Sequence, residues 1–235
     1  MKIFIALLSL ALASHFAALN VFAEDGEDPQ NAVGKKLEGD LYKKILDASL
    51  LQQKVLNFQV QKYGEGSVET LRPVEALAWM YMEIGDYAEA EQLYKKALQI
   101  RKEKMPPSAE NTKYIGIAYF MLGEISFLRD QYILAEDNYD LAIQYSVDPG
   151  ARGDALDRKG KMYKTIGDSE KALNYYLRAV EEYKSEERSK RVDVRIKSAY
   201  KSLVDVYTGL GLRLKAKEFQ DLIDEMNEEQ DNLPQ

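Results

Sequence analysis

The chain repeats itself, and this repetition constrains the possible folds more than any other feature of its 235 residues. A small residue after a turn-like segment recurs at Ala90, Ala135, Ala172 and Ala216, at spacings of 45, 37 and 44 residues. Apolar residues around each copy recur in three- and four-residue steps, the period of an amphipathic helix and not of a strand. A regular spacing of this length indicates stacked helical repeats. We therefore predict an all-α fold that begins near Asp40.

Each copy also has the same order of large and small side chains. The predicted first helices carry Val74, Leu77, Ala78 and Tyr81; Tyr119, Leu122, Gly123 and Ser126; Leu156, Lys159, Gly160 and Tyr163; and Tyr200, Leu203, Val204 and Tyr207. The predicted second helices carry Ala90, Tyr94 and Ala97; Ala135, Tyr139 and Ala142; Ala172, Tyr176 and Ala179; and Ala216, Gln220 and Ile223. Ala or Gly lets two helices approach closely because it leaves room for an aromatic ring of the neighbour.

Two further signals mark the helix ends and an incomplete copy. In Gly85-Asp86 and Gly167-Asp168, the glycine is typical of a helix end and the aspartate of the next helix start. A weaker copy has Ala48, Val55, Leu56 and Phe58, each 42 residues before Ala90, Ala97, Leu98 and Ile100.

These residues resemble the tetratricopeptide-repeat (TPR) family, although Ser126, Lys159 and Val204 depart from its pattern. The resemblance implies a right-handed α-α superhelix, or TPR solenoid, of about four to five helix-turn-helix repeats. Minimal units of the family have about 34 residues. The longer average spacing here, about 42 residues, resembles kinesin-light-chain-like repeats.

The N-terminal segment has the pattern of a secretory signal. A positive residue, Lys2, precedes an apolar run over Ile3–Phe22 and the small residue Ala23. We predict cleavage after Ala23 and export to the periplasm or out of the cell. A retained membrane anchor is the alternative, because the apolar run approaches the length that spans a bilayer. The predicted segments are a signal peptide, 1–23; a flexible acidic leader, 24–39; a TPR domain, 40–229; and a disordered tail, 230–235.

Composition disfavours most kinds of catalysis. The chain has no cysteine, and its one histidine, His15, lies in the predicted signal peptide. Thiolate nucleophiles, imidazole bases and ordinary zinc sites need those side chains. We predict a protein that is not an enzyme and has no catalytic residue, cofactor or metal; an enzyme that uses carboxylates alone is the alternative. The net charge of −7 disfavours nucleic-acid binding.

The resemblance implies that the first helices line a concave groove, which binds a protein or peptide. We predict the partner-binding residues Trp79, Met82, Phe120, Glu124 and Phe127 in the first two full repeats, and Arg158, Lys161, Lys164 and Lys201 in the last two. Large apolar side chains would anchor the ligand, and the basic groups would meet its carboxylates. Core packing or a homodimer contact is the alternative for Trp79, Phe120 and Phe127, and a solvated face is the alternative for the lysines.

We therefore expect an interaction scaffold or adaptor. One alternative is a periplasmic protein that binds a small ligand. The other is a membrane-anchored assembly or chaperone factor, if the signal is retained. The carboxylate clamp of chaperone-binding TPR proteins is not predicted, because only Arg158 matches its residue set.

Overall fold

The computed structural model describes residues 39–231, and every regular element in that range is a helix. The helices are α1 (Asp40–Tyr63), α2 (Leu71–Glu83), α3 (Tyr87–Lys104), α4 (Ala109–Leu128), α5 (Tyr132–Tyr145), α6 (Pro149–Ile166), α7 (Ser169–Lys184), α8 (Lys190–Gly209) and α9 (Arg213–Asp231), with a short 3-10 turn at Val68–Thr70. The predicted all-α fold is confirmed. The predicted signal peptide and almost all of the predicted leader lie outside the described residues, as do residues 232–235.

The first helices of successive repeats begin at regular intervals. They start at Leu71, Ala109, Pro149 and Lys190, which are 38, 40 and 41 residues apart. These intervals are longer than the minimal unit of about 34 residues. The repeat is therefore longer than the minimal unit, although it is slightly shorter than the average spacing of about 42 residues between the small residues.

The predicted turn chemistry is present. Gly85 and Gly167 have φ angles of 83° and 91°, in the left-handed region that glycine enters without strain. The carboxylate of Asp168 accepts a hydrogen bond from the Lys171 N–H at 3.0 Å, which caps α7. Asp130 stands at the equivalent place between α4 and α5, and it adopts φ 57° although it is not glycine.

The chain divides into two compact units after Asp130. In the first, called unit 1, α1 packs on α2, α2 on α3, and α3 on α4. One apolar cluster joins the first three of these helices and contains Leu56, Leu71, Val74, Leu77, Ala97 and Ile100. This cluster holds α2 in place against both of its neighbours.

In the second, called unit 2, α5 packs on α6, α6 on α7, α7 on α8, and α8 on α9, while α6 also touches α8. Tyrosine rings fill the space that glycines leave. A Cβ atom on Gly160 would lie 2.7 Å from the ring of Tyr176, and one on Gly153 would lie 2.4 Å from the ring of Tyr183. The predicted reason for small residues, close helix approach around an aromatic ring, is confirmed for α6 and α7.

Lys159, which departs from the family pattern, is almost fully buried in unit 2. Its Nζ atom lies 2.6 Å from Asp140 Oδ1 and 3.3 Å from Glu136 Oε1, both on α5. Burial alone would lower the pKa of Lys159, but the hydrogen bonds to Asp140 and Tyr175 outweigh it and raise the pKa. The lysine is therefore charged, and it links α5 to α6 where the family places an apolar contact.

Helix α1 is less buried than its pattern predicts. The predicted apolar face contains Leu41, Ile45, Ala48, Leu51, Val55, Leu56 and Val60, yet of these only Leu56 is buried, and Leu41 and Leu51 are exposed. The residues that α1 does bury are Ser49, Gln52 and Leu56, so it packs on α2 with a different face from the predicted one.

Candidate functional site

The first helices of unit 2, α6 and α8, present a shared charged face. Arg195 Nη2 lies 2.5 Å from Asp154 Oδ2, and Lys164 forms an ion pair with Asp205. Both pairs join residues that are 41 positions apart, which equals the interval between the starts of the two helices. The two helices therefore run side by side in a fixed register, as the solenoid prediction requires.

The Asp154–Arg195 pair is part of a larger network. The hydroxyl of Tyr183 donates to Asp154 Oδ1 at 3.0 Å, and Arg195 also lies 3.5 Å from Glu186 Oε2. Glu186 in turn accepts a hydrogen bond from the backbone N–H of Gly150 at 2.9 Å. Burial in this network raises the pKa of the Tyr183 hydroxyl well above its usual value, and the charge of Asp154 adds to the shift. These contacts fix the start of α6 against α7 and α8.

The predicted basic residues of unit 2 differ in exposure. Lys201 and Lys164 are exposed and Lys161 is half-buried, whereas Arg158 is only 8% exposed. Within residues 39–231, Lys201 has no carboxylate at ion-pair distance, while Lys164 is paired with Asp205. With α6 and α8 in their 41-residue register, Lys201 lies level with Gly160 and Lys161, one helical turn before the Lys164–Asp205 pair.

Of the residues predicted in unit 1, three are half-buried and two are buried. Trp79, Phe120 and Phe127 are half-buried, whereas Met82 and Glu124 lie inside the fold and present little surface. A ligand on this face would reach the three aromatic side chains but would have to displace neighbours to reach the other two. The sequence pattern places all five between the packing positions, and it does not reveal which of them an adjacent helix covers.

A second charged cluster, which the sequence analysis did not predict, lies inside unit 1. Arg101 Nε lies 2.5 Å from Glu75 Oε1, and its Nη2 lies 2.9 Å from Glu75 Oε2. The same guanidinium donates to Asn111 Oδ1 at 3.2 Å and stacks over the ring of Tyr114. Arg101 thereby ties α2, α3 and α4 together. Because all of its strong contacts are within the fold, this cluster is structural.

Two other kinds of site are not found in the part of the chain that the structure describes. Across residues 39–231, no group of three or more His, Cys, Asp or Glu side chains could hold a metal ion. No helix in the same range combines the length and the apolar character that crossing a bilayer requires.

Comparisons with known proteins agree with this geometry. Two family models, each described as tetratricopeptide repeat, match residues 75–107 and 153–185. The first match runs from α2 into α3, and the second runs from α6 into α7, so each covers one first helix and one second helix. No curated protein matches the chain.

Solved structures show the same fold at low sequence identity. A structure of MamA has a TM-score of 0.59 and 21% identity, over 84% of this chain and 100% of that one. A structure described as kinesin light chain nearly identical TPR-like repeats, from Podosopora anserina, has a TM-score of 0.64 and 15% identity, over 94% of this chain and 97% of that one. The repeats, their helix pairing and the two family models together show that the chain is a tetratricopeptide-repeat protein.

Proposed function

We propose that this protein is an exported, non-enzymatic scaffold that binds a polypeptide on the faces of its first helices. The TPR fold suggests a protein–protein interaction scaffold. The observation that carries the proposal is the register of α6 and α8, which the Asp154–Arg195 and Lys164–Asp205 pairs fix. A face built from two rigid helices holds its side chains at constant positions, which lowers the entropy cost of binding.

The chemistry of this face favours an acidic segment of the partner. Three lysines, Lys161, Lys164 and Lys201, lie on this pair of helices, and Lys164 forms an ion pair with Asp205. The whole chain carries a net charge of −7, which makes a local basic surface more selective for its ligand. Acidic side chains of a bound peptide would meet Lys161 and Lys201 and compete with Asp205 for Lys164.

The first helices of unit 1 carry three half-buried aromatic side chains, Trp79, Phe120 and Phe127, which we propose to form a second binding surface. Half-buried aromatic side chains combine a fixed orientation with an accessible edge, and aromatic residues are frequent anchors of protein interfaces. We propose that this surface receives apolar side chains of the partner. It is a separate element of the proposal, with a separate test.

The basic face of unit 2 is tested with a fluorescent Glu-rich peptide and its counterpart in which every Glu is Lys. We expect anisotropy titrations to show binding of the Glu-rich peptide only, with an affinity that falls as salt is added. The triple variant Lys161→Glu/Lys164→Glu/Lys201→Glu should weaken binding by at least about tenfold.

The matched control is Lys104→Glu/Lys215→Glu/Lys217→Glu, which changes the net charge equally at exposed lysines of α3 and α9, outside this face. We expect this control to bind the Glu-rich peptide within about twofold of the parent. Equal weakening by both triple variants would indicate a general charge effect and would contradict a site on α6 and α8.

The apolar surface of unit 1 has an internal probe, because Trp79 is the only tryptophan of the chain. A Leu- and Phe-rich peptide that covers this surface should shift the Trp79 emission to shorter wavelength and reduce its quenching by acrylamide. Phe127→Ala should weaken the response, whereas Leu134→Ala, an exposed apolar residue of unit 2, should leave it unchanged. A response that is equal in both variants would place the peptide elsewhere.

Export is tested by the mass of the protein in fractionated cells. Cleavage after Ala23 predicts a mature chain that begins at Glu24 in the exported fraction. An intact chain in the membrane fraction would support the anchored alternative, and an intact chain in the cytoplasm would contradict export.

A further inference from the structure

Helix α1 has the side chains of a second helix, but no first helix in the described chain covers them. Ala48, Val55 and Phe58 stand 42 residues before Ala90, Ala97 and Ile100 of α3. In α3, Ala97 and Ile100 belong to the same apolar cluster as Leu71, Val74 and Leu77 of its first helix, α2. Ile100 is 2% exposed, whereas Phe58 is 59% exposed.

The uncovered side chains form one stripe along α1. Leu41, Lys44, Ala48, Leu51, Val55, Phe58 and Lys62 recur at alternating steps of three and four residues. This is the spacing that lets a helix pack lengthwise against a second helix. Leu41 and Leu51 are 53% and 47% exposed, and Ala48 and Val55 are half-buried. Terminal repeats of a solenoid usually present a polar outer face to water, and this stripe does not.

The segment directly before α1 lacks the sequence of a first helix. The residues 42 positions before Val74, Leu77, Ala78 and Tyr81 are Ala32, Lys35, Lys36 and Gly39. Three of these four residues are charged or glycine, so this segment does not repeat the apolar pattern of α2. Within residues 39–231, no helix covers this stripe, and we therefore consider a second molecule as its partner.

Two acidic and two basic side chains of α1 occupy positions that are complementary in a second, antiparallel copy. Asp40 and Asp47 lie in the N-terminal half of the helix, together with Lys43 and Lys44, and Lys54 and Lys62 lie in the C-terminal half. If two copies pair antiparallel about a point between Leu50 and Leu51, Asp47 of each copy stands opposite Lys54 of the other. Asp40 of each copy then stands beside Lys62 of the other. Opposite charges along an antiparallel helix pair fix its register and orientation.

We propose that two copies of this protein dimerise through α1, antiparallel, with the Leu41–Leu51–Phe58 stripes in contact and reciprocal Asp47–Lys54 ion pairs beside them. The dimer supplies each α1 with the covering helix that α2 gives to α3. One pair of helices buries less area than a standard protein interface, so we expect a dissociation constant in the micromolar range. This surface shares no residue with the proposed ligand-binding faces.

Sedimentation velocity on the full chain, in the processed form that cells produce, tests the proposal. We expect the parent to dimerise and Leu51→Glu/Phe58→Glu to be monomeric. Leu214→Glu, which changes an 87% exposed leucine on α9, should dimerise like the parent. Circular dichroism should show equal helix content in all three proteins, because every substituted residue is exposed in the monomer.

Exchanging the charges of Asp47 and Lys54 distinguishes the pairing of two copies of α1 from the binding of any other molecule to the stripe. Asp47→Lys and Lys54→Asp should each weaken dimerisation by at least about tenfold, because each places like charges at both reciprocal pairs. The double variant Asp47→Lys/Lys54→Asp should restore the dimer. A monomeric parent, a dimer that either single variant leaves unchanged, or a failure of the double variant to restore it would overturn the proposal.

The orientation has its own measurement, because the cysteine-free chain accepts a single spin label. Labels introduced through Gln61→Cys should lie about 30 Å apart in an antiparallel pair, at a rise of about 1.5 Å per residue. A separation near the interhelical distance of about 10 Å would show a parallel pair and overturn the proposed arrangement.

Discussion

Two buried tyrosines differ in what their hydroxyl groups contact. Tyr94 packs in α3 with no hydrogen-bond partner for its hydroxyl among the described residues. The hydroxyl of Tyr183, in α7, donates to Asp154 at 3.0 Å. A buried hydroxyl without a partner costs free energy, whereas one bonded to a carboxylate stabilises the fold. Both side chains are therefore buried, but the hydroxyl of Tyr94 lowers the stability of the fold and the hydroxyl of Tyr183 raises it.

We expect Tyr94→Phe to leave the free energy of unfolding unchanged or to raise it by up to about 1 kcal/mol. Tyr183→Phe should lower it by about 1.5 kcal/mol, because Asp154 loses a donor. Urea unfolding of the two variants, each with the same single-atom change, measures the difference. A larger loss for Tyr94→Phe would contradict the assignment.

Asp130 carries backbone strain that a glycine would remove. Its φ of 57° lies in the left-handed region, where Gly85, Gly167 and Gly211 stand in the other turns. We expect Asp130→Gly to raise the free energy of unfolding by about 0.5–1 kcal/mol. Gly167→Ala should lower it by a similar amount, since alanine would enter the same region. Thermal unfolding of both variants tests this, and a destabilised Asp130→Gly protein would show that the aspartate contributes more than its strain costs.

At the scale of the element, the burial of each helix depends on which of its faces a neighbouring helix covers. The sequence predicts helices, their turns and their buried alanines, because these depend on local periodicity and side-chain size. It does not predict which face α1 buries, since that face includes the polar residues Ser49 and Gln52. Nor does it predict the Arg101–Glu75 and Arg195–Asp154 pairs, whose members lie 26 and 41 residues apart.

The contact of α6 with α7 depends on Gly160. We expect Gly160→Ala to cost about 1–3 kcal/mol, because its Cβ atom would lie 2.7 Å from the ring of Tyr176. Gly209→Ala, in the last turn of α8, is the control, because nothing lies within 4 Å of the added atom. There the better helix propensity of alanine should give a small gain. Chemical denaturation measures the free energy of unfolding of both variants. Equal changes would show that helix propensity, and not the contact with the Tyr176 ring, determines the effect of Gly160→Ala.

At the scale of the whole molecule, the repeat pattern runs through the chain while the packing divides it. The first-helix pattern at Tyr119 and the second-helix pattern at Ala142 belong to one sequence repeat, yet α4 lies in unit 1 and α5 in unit 2. Repeat spacing alone does not predict this division. The sequence identified candidate residues for both ligand faces, but only the three-dimensional register shows that Lys164 pairs with Asp205 and that Lys201 lies level with Lys161.

Stability should fall at alkaline pH. Burial raises the pKa of Tyr94, Tyr163 and Tyr183 above the usual value of 10.0. Above pH 10 the unfolded chain releases these protons while the folded chain keeps them, so their contribution is complete below pH 10 and is lost as pH rises. The raised pKa of Lys159 acts in the same direction.

We therefore expect the Tm to change little between neutral pH and about pH 9 and to fall steeply above about pH 10. The Tyr94→Phe protein should show a shallower fall, because one raised pKa is removed. Differential scanning fluorimetry across this range tests the prediction. A Tm that stays constant up to pH 11 would show that these tyrosines ionise equally in the folded and unfolded chains.

The 41-residue register of α6 and α8 also sets a rule for the sequence of a ligand. Neighbouring helix axes lie about 8–10 Å apart, and an extended chain advances about 3.3 Å per residue. A peptide that crosses the two helices therefore passes from one to the next in about three residues. The matching ligand has its acidic side chains at every third position, so spacing and not only charge would decide which peptides bind.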